Sequence, residues 1–501
     1  MKKVKSGMRQ AWHWWQKHIS PGMFAVILTI ILVAPLLFIG QVHGYADNGD
    51  FARAIRPNGI YPYQAANRSD YFGYVALRYH ISHFFNETKS QVFSSQTIFI
   101  KVGLALNQLL FSRNVFNIRF MGVIYFVLFL GALYMLTQSF TQPLRRLRSY
   151  LIAIMVVLVF GDSAYTLYFN SFFAEPVGYI ALLYAAAALL MLSRQHKQRR
   201  WPLVVLYLVS VIVLITSKQQ NAPLALSFVL ASCGLLFIPG LRRKWLVVGS
   251  GIAAVCIAGV ATYAMISQQF SDINLFQTFS YGIMFESPDY TKELPKTGID
   301  GQYALDRNEA FNPPAFAPVL PSDHATQQGL TNKLSTGWVV RFLLTHPSQF
   351  MRLLDVAAKN QMNVQPRAVG DYTKQSGAKS LQQVRYMTGY SLLAETFYPR
   401  KYMFNVLLAI ALLIMCAAAF YQDIRRGDSE SGPRLMLVAA LLSIVIFVPI
   451  VSVIGDGTAD LAKHLFLVPV SLNLIFTMLI ADALTGRLWH TYRKEDDDEA
   501  Q

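Results

Sequence analysis

The chain has 501 residues, of which 54% are hydrophobic and only 14% charged, with a net charge of +16 and a mean hydropathy of +0.35. That is too apolar for a soluble domain and points to an integral membrane protein. The basic residues fall mainly in short connections between apolar runs and form no nucleic-acid-binding motif, which argues against a nucleic-acid partner.

In chain order, a basic N-terminus, residues 1–22 with Lys2, Lys3, Lys5, Arg9 and Lys17, leads into the run "MFAVILTIILVAPLLFI". Such runs recur without the polar and apolar alternation of barrel strands, and in hydrocarbon a helix satisfies its own backbone. An all-α integral membrane protein with about ten transmembrane helices is expected, near 23–39, 115–136, 150–160 running on toward 168, 177–192, 202–216, 222–238, 245–266, 402–421, 435–453 and 466–484. Gly161 and Asp162 interrupt the third. Gly44 and Ala46 fit a signal-peptidase pattern, but the first run is longer than a usual signal segment and reads as an anchor.

"RRLR" (145–148), "RQHKQRR" (194–200), "LRRK" (241–244) and Arg425–Arg426 occupy alternate connections. By the positive-inside rule they face the cytoplasm, together with both termini and the tail 485–501, which carries Arg487, Arg493 and Lys494. The domain reading is then an N-terminal module of about seven spans over 23–266 that includes the outer loop 40–114, an extracytoplasmic loop domain 267–401, and a C-terminal module of three spans over 402–484. Within 40–114, "TIFIKVGLALNQLLFS" with Lys101 and Asn107 reads as an interfacial helix. Within 267–401, residues 336–361 show helical spacing with a proline step after His346, and "FNPPAFAPVLPSDHATQQG" reads as an irregular loop. Cys233, Cys256 and Cys416 all fall inside predicted spans, which excludes a disulfide framework or a thiolate metal site.

Polar side chains collect at the outer ends of the spans. "GYADNGDF" places Asp47 and Asp50 just past the first helix, where a carboxylate can take a proton or hold a cation; the plain alternative is a turn with Asp50 as N-cap of a helix beginning at Phe51. "GDSAYTLYFNSFFAEP" contributes Asp162, Asn170, Ser171 and Glu175, "TSKQQNAP" contributes Lys218 and Gln220, and "GDGTADLAKHLF" contributes Asp456, Asp460, Lys463 and His464. Taken singly, Lys218 reads equally as a snorkelling lysine, Glu175 as a helix N-terminal charge and His464 as an ordinary hydrogen-bonding histidine. Together, cations beside carboxylates at one interface suit a lipid-linked phosphate sugar, with cations on the phosphate leaving group and an aspartate deprotonating the attacking hydroxyl.

"DNGDF", "YFNSFFAEP", "SKQQNAP", "YGIMFESPDYTKELPKTGID" and "DGTADLAKHLF" occur in order over most of the chain and together resemble the Wsf-type glycan biosynthesis hexose transferases, multispanning bacterial proteins related to the C-type glycosyltransferase fold. The resemblance implies a transferase in the bacterial cytoplasmic (inner) membrane, its active site facing outward. It would move a hexose from a polyprenyl-phosphate donor to a cell-envelope glycan or lipid-linked acceptor, by inverting displacement. It further implies an acidic base in the first outer loop, carried onto Asp50 with Asp47 second. On this reading Lys218, Lys463 and His464 hold phosphate, and Asn170, Ser171, Glu175 and Gln220 hold sugar. Some C-type enzymes use a divalent metal such as Mg or Mn and others do not; Asp47 and Asp50, followed by Asp162 and Glu175, are the candidate ligands. No cytoplasmic connection carries a nucleotide fold or glycine-rich phosphate loop, so a sugar-nucleotide donor and an ATP-driven exporter are not expected. The competing readings are an O-antigen-type polymerase or ligase using Arg341, His346, Arg352 and Arg367, and a flippase or transporter, which would place ionisable groups at the bilayer midplane.

Overall fold

A computed structural model describes residues 15–489 apart from 64–67, 84–87, 89, 91, 143–144, 195–199, 239, 242, 287–290, 292–293, 312–319 and 430. The basic residues before position 15, most of the 194–200 connection, the centre of the irregular loop 311–329 and the tail with Arg493 and Lys494 lie outside the described residues.

Nine described helices are long and apolar enough to cross a membrane, and a tenth crossing is formed if the bent pair Leu147–Phe160 and Ser163–Asn170 is counted as one. The helical multi-span architecture is the one expected. The bend of 52° falls at Gly161 and Asp162, where the Asp162 carboxylate accepts the Ala164 N–H at 2.9 Å and so starts the second half. The most enclosed crossing is Glu175–Arg194, 94% of whose apolar window is buried, against 22% for Tyr402–Arg425. Small residues let it sit centrally: Ala185, Ala186, Ala187 and Ala188 are all buried, so neighbouring helices approach closely on every side.

At the end where Glu175–Arg194 finishes, a buried ion network joins three helices. Arg194 pairs with Asp482 at 2.6 Å and Arg434 pairs with the other oxygen of the same carboxylate at 3.1 Å. Arg487 closes the group by donating to the Gln142 carbonyl at 2.7 Å.

The opposite end holds the connecting segments. A three-stranded antiparallel sheet of β1 (Ile60–Pro62), β2 (Arg78–Ile81) and β3 (Val115–Asn117) adds a strand component to a chain read as wholly helical. Gln96–Leu110 is a helix, as its spacing implies. It turns Ile98, Val102, Leu109 and Leu110 outward and buries Asn107, whose amide ties the helix to the Ser112 and Val115 carbonyls at 2.8 and 2.9 Å. The segment after His346 contains the anticipated step, with helices Thr336–Thr345 and Pro347–Asn360. The loop region also reaches back to the first span: Gly44 and Ala46 donate to the Asp371 and Gly370 carbonyls at 3.2 and 2.9 Å. That contact fixes the chain immediately before Asp47.

Candidate active site

The turn after the first span is built by Asp47. Its Oδ1 accepts the Gly49 and Phe51 N–H groups at 2.7 and 3.1 Å, and Gly49 sits at φ +106°, which a side chain would resist. The short helix Phe51–Ile55 is therefore capped from Asp47. Asp50 occupies the N-cap position but makes no side-chain cap hydrogen bond, so the plain turn reading of Asp50 is replaced.

Freed from capping, the Asp50 carboxylate pairs with Arg53 and with Lys463. Lys463 is almost wholly buried, also meets Asp460 at 3.1 Å, and lies 4.9 Å from the centre of the Phe173 ring. Asp460 in turn accepts from Asn48 at 2.8 Å and holds φ +45°, a left-handed backbone uncommon outside glycine. The first connecting segment and the last turn are thus stitched together by Asn48 with Asp460 and by Asp50 with Lys463.

The electrostatics separate the two aspartates. Burial works to raise the Asp50 carboxyl, but Lys463 and Arg53 prevail and hold it far below the usual carboxylate range. The reverse holds for Asp47: burial pushes it up, against the lowering hydrogen bonds of Tyr71, Phe51 and Gly49. Burial acts to lower Lys463, and the Asp50 and Asp460 carboxylates more than compensate, so it stays a cation.

Two cavities are bordered by these residues, one by Lys463 and one by Asp47. A narrow one of about 30 Å³ is lined by Glu175, Lys218, Gln220, Ser452, Lys463 and His464 among others. Lys218 meets Glu175 there at 3.0 Å. A much larger one of about 1030 Å³ is lined by Asp47, Tyr63, Tyr71, Arg78, Tyr79 and Arg119 among others. Tyr63 stacks on His80 with ring centres 4.2 Å apart and remains 50% exposed, a flat apolar face of the kind that packs against a sugar ring.

Several sequence expectations are corrected. Asn170 and Ser171 are fully buried and line neither cavity. The Asn170 amide donates to the Leu37 and His43 carbonyls at 2.9 and 2.8 Å, Ser171 donates to Tyr168 at 2.6 Å, and Gly44 packs so closely that a Cβ there would lie 2.4 Å from the Asn170 carbonyl oxygen. Both side chains belong to the packing at the end of the first span. His464 is not a phosphate-binding cation: burial and the neighbouring Lys218 and Lys463 push its imidazole well below the ordinary range, and Nε2 faces Asp456 at 3.2 Å. Asp162 is taken up by Ala164 and Ser391. Among the described residues no group of three or more His, Cys, Asp or Glu side chains converges on one point. With two cations already on Asp50, the residues around Asp47 and Asp50 do not fit a divalent metal. Ser452, which the sequence reading passed over, lies on the narrow cavity because Gly432–Asp456 turns that face inward.

Residues 3–500 match the family described as the YfdI N-terminal transmembrane domain. The chain belongs to that family. It is of the C-type glycosyltransferase-like class, so the motif resemblance holds at the level of that class. No curated protein matches. Among solved structures, the Archaeoglobus fulgidus oligosaccharyltransferase tethered to an acceptor peptide containing the NVT sequon is similar at 11% identity and a TM-score of 0.38, over 93% of this chain and 49% of that one. The chain thus spans about half the length of that structure.

Proposed function

We propose that this member of the YfdI family is a membrane hexosyltransferase that takes its sugar from a polyprenyl-phosphate donor and adds it, with inversion, to a cell-envelope glycan or lipid-linked acceptor at the outer face of a bacterial cytoplasmic membrane. The observation that carries this reading is the ion pair that links the two cavities: Asp50, in the turn whose Asp47 borders the larger cavity, pairs with Lys463, which borders the narrow one beside Lys218.

The donor phosphate lies at Lys218 and Lys463, displacing one of the carboxylates that hold them in its absence. The acceptor lies in the larger cavity with its hydroxyl toward Asp47. As the hydroxyl oxygen bonds to the anomeric carbon, its proton passes to Asp47 and the bond from that carbon to the phosphate oxygen breaks, its electron pair leaving on the phosphate. Asp50, too strongly paired to be an effective base, holds Lys463 and Arg53 in place. This exchanges the roles first expected of the two aspartates.

The test is a comparison of envelope glycans from a deletion strain and its parent by mass spectrometry. The reading requires a glycan short by one hexose, restored by the intact gene. An unchanged glycan composition in a strain that normally expresses the protein would sink it.

A further inference from the structure

The larger cavity carries more positive charge than its one acid offsets. Arg78, Arg119 and Lys374 border it, and among the described residues Asp47 is the single bordering carboxylate. Neither arginine forms an ion pair among the described residues, and the Arg119 Nε is buried without a hydrogen-bond partner there, which is uncommon for a buried donor. The fold brings the two arginines to one corner of the sheet. Arg78 lies opposite Asn117 in the β2–β3 register, the Leu77 carbonyl accepts the Ile118 N–H at 3.0 Å, and Arg119 follows directly. Arg119 is also the first residue of the 23-residue helix Arg119–Thr141, whose first turn carries no acidic residue. A cation there adds to the positive end of the helix dipole instead of opposing it, an arrangement that a bound anion stabilises.

Depth and size narrow the choice of anion. The cavity is bordered by Gly40, Gln41 and Val42, just past the span Pro21–Phe38, and by Arg119 at the start of the next span. Two span ends at its edge put it at the level of the lipid headgroups. That is where the phosphate joining a glycan to its lipid lies, whereas a carboxylate carried by the glycan lies farther out. A volume of about 1030 Å³ is at the upper end of ordinary ligand sites and has room for sugar as well as phosphate. Guanidinium forks bind phosphate oxygens in paired hydrogen bonds. Asp47 borders the same space, so phosphate and reacting hydroxyl share one cavity.

We propose that the acceptor is joined to its lipid through phosphate, and that Arg78 and Arg119 hold this phosphate in the larger cavity. This rests on the transferase reading and adds to it the acceptor's anionic anchor and the residues that select it.

The probe is the lipid-linked glycan extracted from the deletion strain, used intact, after release of its lipid phosphate by mild acid, and after amidation of its carboxyl groups. Equilibrium binding is measured to the full-length protein in detergent. The intact glycan should bind about tenfold to a hundredfold more tightly than the phosphate-free one, and amidation should change nothing. Arg78→Gln and Arg119→Gln should each remove about tenfold of that preference while the phosphate-free glycan still binds; Arg119→Lys, which keeps the charge, should retain part of it. A misfolded variant would lose both forms alike. An undiminished preference in both glutamine variants overturns the proposal, as does loss of binding on amidation, which would give the arginines to a glycan carboxylate. Equal competition by phosphatidylglycerol overturns it in favour of bulk lipid, and weaker binding of a polyprenyl-phosphate hexose in place of the glycan gives the cavity to the donor. Phosphate-dependent binding without hexose transfer to the glycan sinks the proposed function and leaves the phosphate site standing. Transfer to intact and phosphate-free glycans with equal KM does the reverse, and no binding of either form sinks both.

Discussion

Asp50 and Lys463 form an ion pair although 413 positions separate them in the chain. The pair joins the turn after the first span to the turn before the last, and everything else at the site is arranged around it. Lys463 is 2% exposed in its side chain while Asp50 is 33% exposed, so the lysine is held inside the protein by a carboxylate that borders solvent.

Substitution of either lysine tests the donor side. Lys218→Ala and Lys463→Ala should each weaken binding of a polyprenyl-phosphate hexose by about 1.5–3 kcal/mol, the range for a charge-assisted contact. Equilibrium binding to the detergent-solubilised protein checks this, and unchanged affinity in both variants would return the lysines to a purely structural role.

How much of this was legible in the sequence depends on which physical signal carried it. The spans were legible because apolar length is a local property, and the break at Gly161 and Asp162 was legible because two helix-breaking residues stand together. The strands β1 to β3 were not: each has three or four residues, too few for a period of two to register. The polar turns announced a site, but not its pairings. Asp47 and Asp50 are equivalent on paper, and only the path of the chain through Gly49 decides which one caps and which one is left to meet Lys463. Asn170 reads as a sugar ligand because it stands with Ser171 and Glu175 in a polar turn at the outer ends of the spans; nothing local reveals that Gly44 and Gly122 close over it from distant segments.

Asn170→Ala should therefore behave as a packing lesion. It strands the Leu37 and His43 carbonyls at roughly 1–3 kcal/mol each, so thermal stability should fall markedly while the donor KM of the surviving folded protein stays near the parental value. A raised donor KM with parental stability would restore Asn170 to the sugar site.

Asp371 offers a pH test of the loop region. Burial raises its carboxyl to about 8, against the hydrogen bonds of Val384 and Gln365. The unfolded chain releases this proton near the ordinary value of about 4, whereas the folded protein keeps it until about 8. The contribution to stability is thus fully present below the unfolded value and is lost as pH rises through the window between the two. Melting temperatures of the detergent-solubilised protein should fall across that window, and Asp371→Asn should show a shallower fall. Identical slopes would mean that Asp371 is ionised in the folded state.

Topology is open to direct labelling. Ser322 is exposed in the segment placed outside by the distribution of basic connections. Ser322→Cys should react with a membrane-impermeant maleimide in intact cells. Reaction only after permeabilisation would reverse the orientation and remove an outward-facing site.

The division of labour between Asp47 and Asp50 gives the sharpest kinetic expectation. A positioned base contributes about 10²–10⁴-fold to turnover, and the group best suited to it is the one whose proton affinity is raised and whose side chain borders the acceptor cavity, which is Asp47. Asp47→Asn should lower kcat by roughly that factor with little change in donor KM. Asp50→Asn removes a partner of Lys463 and Arg53 and should act mainly on donor KM. The pH profile separates the two independently of mutagenesis. With Asp47 as base, kcat must fall on the acid side as that carboxyl takes up its proton, at a pH above the ordinary carboxylate range. With Asp50 as base, Lys463 and Arg53 would keep the carboxylate ionised at every pH the protein survives, and no acid limb would be seen. A flat acid side together with a large kcat loss in Asp50→Asn would return the base to Asp50 and leave Asp47 as the cap of the turn.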